Sequence, residues 1–335
     1  MTHPLRPMNL GEILDRTFKI YRSRFLVFAV VAAIHVVAIE LIHAGDFYWL
    51  HLSSLVHPPR QPGIFLWRFI VGLAFYHLSS LVGLTLEPAL IKLASASILG
   101  DRCSITDSLR LVANRWRGYL GVASAKLLVQ LVAPEVLATS LAIVELLIAD
   151  FTGHWGGDAR WEGYVAVATW LAVGIGLFLW VGACTSLTVP ASALETLRAF
   201  PSLRRSWTLT KGTRARICLT WLAVYVSLWI LTYGLEFLLG QTMYFAGQTL
   251  HIAATMRSLY NPAVFLLSTA IYAILGPIYP IAVTLFYYDQ RIRLEGYDIE
   301  RMMAAAGLNP TAPPAPGAPV SDAQIAPPGT PEAQA

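Results

Sequence analysis

The chain has 335 residues, of which 56% are hydrophobic and 13% charged, with a mean hydropathy of +0.57. A soluble domain carries about 25% charged residues, so this composition excludes an ordinary soluble globular protein. The formal net charge of +4 would suit nucleic acid, but the basic residues lie beside apolar runs and form no separate polar module, so no nucleic-acid partner is expected.

The first predicted element covers residues 1–24. Asn9 stands at an N-cap, and Glu12 three residues later completes a capping box. Leu10, Ile13, Leu14, Thr17, Phe18, Tyr21 and Phe25 recur at three- and four-residue spacing and line one helical face. On the other face, Glu12 with Arg16 and Asp15 with Lys19 form i,i+4 ion pairs. This reads as a cytosolic amphipathic helix that feeds directly into the first span. It is too long and too amphipathic for the n-region of a cleaved signal peptide.

A spanning helix needs about 20 mostly apolar residues. Six stretches qualify: 25–44, 64–100, 119–149, 163–194, 217–240 and 262–289. The second is about 36 residues, roughly 54 Å as a helix, too long for one straight crossing. It is expected to leave the membrane near Glu87-Pro88 and to continue as a cytosolic extension through Lys92. Loops preceding spans one, three and five and following span six hold 18 of the 24 lysines and arginines. Positive residues are retained in the cytoplasm, so both termini are expected there, in a bacterial inner membrane. Trp49, Trp67, Trp155 and Trp161 fall at the opposite boundary, as an interfacial belt would.

Two further amphipathic segments precede spans. Residues 104–116 place Ile105, Leu109, Val112 and Trp116 on one face. Residues 202–210 direct Leu203 and Trp207 inward, with Gly212 as C-cap. The fold class is therefore all-α: a polytopic membrane protein of six transmembrane helices with three cytosolic juxtamembrane amphipathic helices. Its domain divides into three units of amphipathic helix, span, external loop, span, all of one orientation, unlike the inverted repeats of alternating-access carriers. The membrane domain, 25–289, is followed by an exit helix, 290–307, and a tail, 308–335. Eight of the 20 prolines lie beyond Asn309, a composition expected to stay disordered.

Ionisable groups inside spans are site candidates. Glu135 follows Pro134 in span three, and Glu87 precedes Pro88 in span two; together they suggest a polar cavity beside prolines. The competing reading pairs Glu135 with Lys126 or a serine, and Glu87 with Lys92 or a lipid-facing water. Glu40, Glu145 and Glu236 lie near outer ends, and His35 and His77 within spans one and two. His43, His51 and His57 fall in the first external loop, which reads as solvated because no second ligand-rich segment accompanies them. Three cysteines (Cys103, Cys184, Cys218) without CxxC spacing argue against disulfides and metal centres. No metal, cofactor or catalytic residue is expected, since no phosphate loop, HExxH, GxSxG or paired-carboxylate motif is present.

The run Leu10-Gly-Glu-Ile-Leu-Asp-Arg-Thr-Phe-Lys-Ile-Tyr-Arg-Ser-Arg-Phe25 resembles the leading helix of a family of bacterial six-span proteins. Tyr287-Tyr-Asp-Gln-Arg-Ile-Arg-Leu-Glu-Gly-Tyr-Asp298 resembles that family's exit segment, and Arg205-Ser-Trp-Thr-Leu-Thr-Lys-Gly212 its third cytosolic helix. These proteins are grouped with the membrane domain that precedes glycerophosphodiester phosphodiesterases in some bacteria. A catalytic barrel would need about 250 residues, and only the tail follows 299, so the resemblance implies no catalytic residue. It implies an integral membrane protein accessory to envelope or lipid metabolism. In the exit segment, Asp289 with Arg293 and Arg291 with Glu295 are i,i+4 pairs. Glu12, Asp15 and Arg16 are expected to pair with Arg291, Arg293 or Asp289 as a cytosolic clasp. The expected function is a non-enzymatic scaffold or accessory subunit, with membrane lipids and a membrane-protein partner or a second copy as contacts. The alternative is a lipid- or small-solute-handling protein with a cavity between kinked helices.

Overall fold

The computed structural model describes residues 6–56, 62–151 and 160–306. The tail 308–335, His57, Arg60 and Trp155 lie outside them. No strand occurs among the described residues. The helices are α1 (Leu10–Ser23), α2 (Phe25–Val56), α3 (Pro62–Leu99), α4 (Ile105–Leu127), α5 (Ala133–Phe151), α6 (Arg160–Thr185), α7 (Thr188–Glu195), α8 (Ala199–Leu209), α9 (Arg214–Thr249), α10 (Ala253–Leu275), α11 (Ile278–Glu295) and α12 (Tyr297–Ala305). A π-helical turn, Leu128–Val132, joins α4 to α5.

Six segments are long and apolar enough to cross a membrane: α2, α3, α4–α5, α6–α7, α9 and α10–α11. They carry large apolar side chains outward, among them Leu26, Leu41, Leu147, Ile230 and Leu266. In water such a surface would aggregate; in hydrocarbon it is the natural lipid-facing coat. This is a membrane protein.

The spans pack in chain order as a closed ring. Helix α2 lies against α3, α3 against α4, α5 against α6, α6 against α9, α9 against α10, and α10 returns to α2. Within it the unit of short helix, span, span recurs three times: α1–α3, α4–α7 and α8–α11. The second span of every unit changes character at a proline. Pro88 lies inside α3; Pro190 and Pro280 are each the third residue of the short helices α7 and α11, where a proline's missing N–H would have no helical partner. Beyond these prolines the three segments converge, α3 touching both α7 and α11 and α7 touching α11. Ile91, Leu93, Ala94, Ala191, Ile281, Ala282 and Leu285 are fully buried there. Alanines at the contacts let the backbones come close. The result is a plug that fills one end of the ring.

This plug corrects the expected extension of span two: the stretch after Glu87-Pro88 is not a solvated extension but the centre of the core, although Lys92 itself is exposed. Helix α1 has the expected N-terminus, with Asn9 accepting from the Glu12 amide and Glu12 accepting from the Asn9 amide, both at 2.8 Å. Its buried face is Ile13, Thr17, Ile20 and Tyr21, and α1 packs on α11. A second capping box, Ser104 with Asp107, starts α4, and a non-helical Arg115 (φ −128°, ψ 20°) sets its first turns apart from the span. Val112 is buried as expected, whereas Trp116 is exposed.

The buried face of α8 also differs from expectation: Ser202, Ser206 and Leu209 point inward, while Leu203 is half-buried and Trp207 exposed. The reason is a helix break. Between α6 and α7 the chain loses its regular ladder, and Ser206 Oγ repairs it by donating to the Cys184 carbonyl at 2.8 Å and accepting from the Leu187 amide at 3.1 Å. A small hydroxyl is needed where Leu or Trp would not fit. Trp207 instead stacks edge-on with Trp180 at 5.3 Å.

Candidate functional site

Inside the ring, bounded by the plug, is a cavity of about 660 Å³ to which all six spans contribute. Val36 and Ile39 of α2, Leu84 of α3, Leu179 of α6 and Leu228 of α9 make much of its wall apolar. One side is aromatic: Phe178, Trp221, Tyr225 and Tyr279 run as a continuous series of ring contacts, with centroids 4.9–5.5 Å apart. Leu90 and Pro280, the first plug residues, form the floor.

A carboxyl and an amine stand at this floor. Glu87 is 8% exposed and Lys126 is 5% exposed, and both line the cavity. Each feels the other's field, yet no ion pair or hydrogen bond joins them, or joins either to another described side chain. Tyr225 and Tyr279 lie within electrostatic reach of Glu87. Pro88 withholds its N–H from the carbonyl four residues back, that of Leu84, which also lines the cavity.

Toward the other end, Glu40, His43 and Glu236 form a second polar group. His43 Nδ1 lies 3.8 Å from Glu40, and its Nε2 is 3.1 Å from Ser79 Oγ. Ser79 donates its own proton to the Tyr76 carbonyl at 2.8 Å, so the His43 ring is the donor in that contact. Glu236 senses the Glu40 charge. His43 is thus an exposed residue of helix α2 that lines the cavity, not a loop residue.

Of the two carboxylates expected to share a cavity, only Glu87 does. Glu135 faces His77, with Oε2 3.4 Å from His77 Nε2, while His77 Nδ1 is 2.7 Å from the Leu73 carbonyl. Lys126 and Glu135 are nine residues apart on a helix interrupted by the π-turn, and they diverge. The expected pairings do not form: Lys126 lines the same cavity as Glu87 without an ion pair to it, and Glu135 faces a histidine.

At the plug's far end, charged groups tie the three units together. Asp289 is fully buried. It accepts from the Met8 amide at 2.7 Å, from Arg293 Nε at 3.0 Å and from Gln290 at 3.0 Å, with Arg216 3.9 Å away. Arg216 and Arg293 each donate to the Met8 carbonyl, at 2.9 and 2.8 Å. Leading segment and exit helix are therefore joined, but through the Met8 backbone. Glu12 turns instead to Arg6 at 2.5 Å, and the Asn9 amide followed by Arg6 holds its carboxyl below the usual range. Arg16 contacts the Met8 sulfur at 3.7 Å. Asp15 is exposed, and neither the Glu12–Arg16 nor the Asp15–Lys19 pair forms.

A second cluster centres on Arg205. Its Nε and Nη2 donate to Glu195 at 2.9–3.0 Å, and Nη2 also donates to Glu295 at 2.8 Å. Hydrogen bonds to Glu295 and then Glu195 push the guanidinium above its ordinary range. Tyr287 donates to Glu195 at 2.5 Å, and Arg291 pairs with Glu295 at 3.0 Å while lying 4.1 Å from the Tyr297 ring centre. Glu195 and Arg205 had a sequence signal that spacing rules pass over: Glu195 is the one carboxylate between Glu162 and Glu236, in an otherwise basic segment. A search of family models, of curated proteins and of solved structures finds no match to this chain.

Proposed function

We propose that this protein binds an amphipathic small molecule or lipid in the cavity enclosed by its six spans, in a bacterial inner membrane with both termini cytoplasmic. The orientation rests on the basic residues gathered at the plug end of the chain's units. Of the two functional classes read from the sequence, ligand handling now has the stronger support over the scaffold. The observation that carries it is the Glu87 and Lys126 pair. Both ionisable groups are withdrawn from bulk water at the floor of a largely apolar cavity, with no ion pair between them. Burying ions costs several kcal/mol each unless partners satisfy them, and intramembrane charges that face a cavity mark ligand pathways. A volume of about 660 Å³ falls within the roughly 300–1,000 Å³ of sites that enclose drug-sized ligands. The resemblance to the six-span family supports a place in envelope or lipid metabolism, as a binding protein with no catalytic step assigned.

The test is native mass spectrometry of the protein released from its own membrane in mild detergent. A bound small molecule of defined mass is expected, and its retention should fall in Leu84→Trp, which intrudes on the cavity. Retention of a stoichiometric protein with no small molecule would overturn the reading and restore the scaffold.

A further inference from the structure

The cavity's floor is more specific than its walls. A buried carboxylate and a buried ammonium normally close on each other, because attraction in a low-dielectric site is strong and each isolated charge is costly. Here Glu87 and Lys126 remain apart, each nine-tenths buried and each turned to the same space. Tyr225 and Tyr279 line the same cavity and lie within electrostatic reach of Glu87. Above the floor, apolar and aromatic side chains make up much of the wall, interspersed with polar ones such as His35, Gln130 and Ser268.

We infer that the ligand is a zwitterionic amphiphile whose ammonium sits on Glu87 and whose phosphate or carboxylate sits on Lys126, with one hydrocarbon chain rising along the apolar wall. Resting on the binding function proposed above, this adds the chemical class. A headgroup carrying both charges a few bonds apart completes two half-made ion pairs at once. A purely anionic amphiphile would leave Glu87 facing a like charge, and a purely cationic one would do the same to Lys126. The enclosed volume suits a headgroup with a single chain.

The experiment titrates the detergent-purified protein with three single-chain amphiphiles of equal chain length and reads bound masses by native mass spectrometry. They are lysophosphatidylethanolamine (zwitterion), lysophosphatidylglycerol (anion) and an alkylamine (cation). The zwitterion should bind about tenfold or more tighter than either of the others. Glu87→Gln should erase its advantage over the anion but not over the cation. Lys126→Met should do the converse. This crossed pattern would not arise from a pair that merely stabilises the fold. The wild-type ranking is measured without any variant, so poorly folded substitutions leave the inference testable. O-Phosphoethanolamine, which has the headgroup alone, should bind at least tenfold more weakly; equal binding would assign the site to a free polar zwitterion and overturn the amphiphile. Equal binding of all three amphiphiles would mean that a water-bridged pair occupies the floor, overturning the charge assignment while leaving the cavity function standing. Binding of none of the probes in wild type, with no co-purified ligand, would overturn both.

Discussion

Asp289 shows how a single buried carboxylate can organise several elements. Its oxygens receive the Met8 amide and two side chains, and the same Met8 presents its carbonyl to Arg216 and Arg293. Removing the acid would leave two guanidinium groups facing each other across an uncompensated site. Asp289→Ala is therefore expected to destabilise the protein by about 3–5 kcal/mol, the cost of breaking a buried charged pair. Fluorescence-detected thermal unfolding in detergent checks this, and an unchanged midpoint would reject the account. Glu12 acts differently, as an exposed cap. Its folded carboxyl titrates below its unfolded one, so its contribution is present above the ordinary carboxylate range and fades as pH falls through the lowered value. The wild type should accordingly lose more stability than Glu12→Ala on acidification through that window. The pairs Asp289 with Arg293 and Arg291 with Glu295 were visible in the sequence and both form, but the partners that join separate segments were not. An i,i+4 rule sees only one helix, whereas Met8 with Asp289 and Arg205 with Glu295 are contacts between chain segments hundreds or tens of residues apart.

At the scale of elements, what could be read depended on whether the signal was local. The capping boxes at Asn9 and Ser104 are set by side chains three residues apart, and both helices begin where those residues stand. The apolar spans were legible for the same reason, because a hydrocarbon solvent demands a continuous run. The fate of the segment after Pro88 was not legible. Its apolar run reads equally as membrane or core, and only the convergence of α3, α7 and α11 decides between them. The buried face of α8 was hidden too, because a serine that mends a broken helix elsewhere has no periodic signature. That repair makes a prediction. Ser206→Ala leaves the Leu187 amide unsatisfied and should cost about 1–3 kcal/mol. Ser206→Thr, which keeps a hydroxyl, tests whether the bond or the space matters. Stability like that of the wild type in the alanine variant, by thermal unfolding, would mean that the α6–α7 break is supported without Ser206.

For the whole molecule, the threefold recurrence explains why plug and cavity lie on one axis. Each unit contributes two spans to the wall and a proline-marked segment to the plug, so the ring is filled at one end and hollow beyond it. The Arg205 and Asp289 clusters sit at the filled end, beside the segments between spans that carry most of the positive charge. Positive residues resist export, so the filled end should face the cytoplasm and the polar group of Glu40, His43 and Glu236 the opposite side. Reporter fusions distinguish the two orientations. Alkaline phosphatase, active only after export, should be active when fused after Leu250, in the turn between α9 and α10, and inactive when fused after Lys211, between α8 and α9. Green fluorescent protein, which matures only in the cytoplasm, should give the reverse pattern at the same two sites. The opposite result would turn the cavity over. The zwitterion's polar floor would then lie toward the outer leaflet, and a ligand would have to reach Glu87 and Lys126 from the cytoplasmic side, past Glu40 and Glu236. Orientation therefore decides which leaflet the hollow end can draw a single-chain amphiphile from, and the fusion pair settles this independently of any binding measurement.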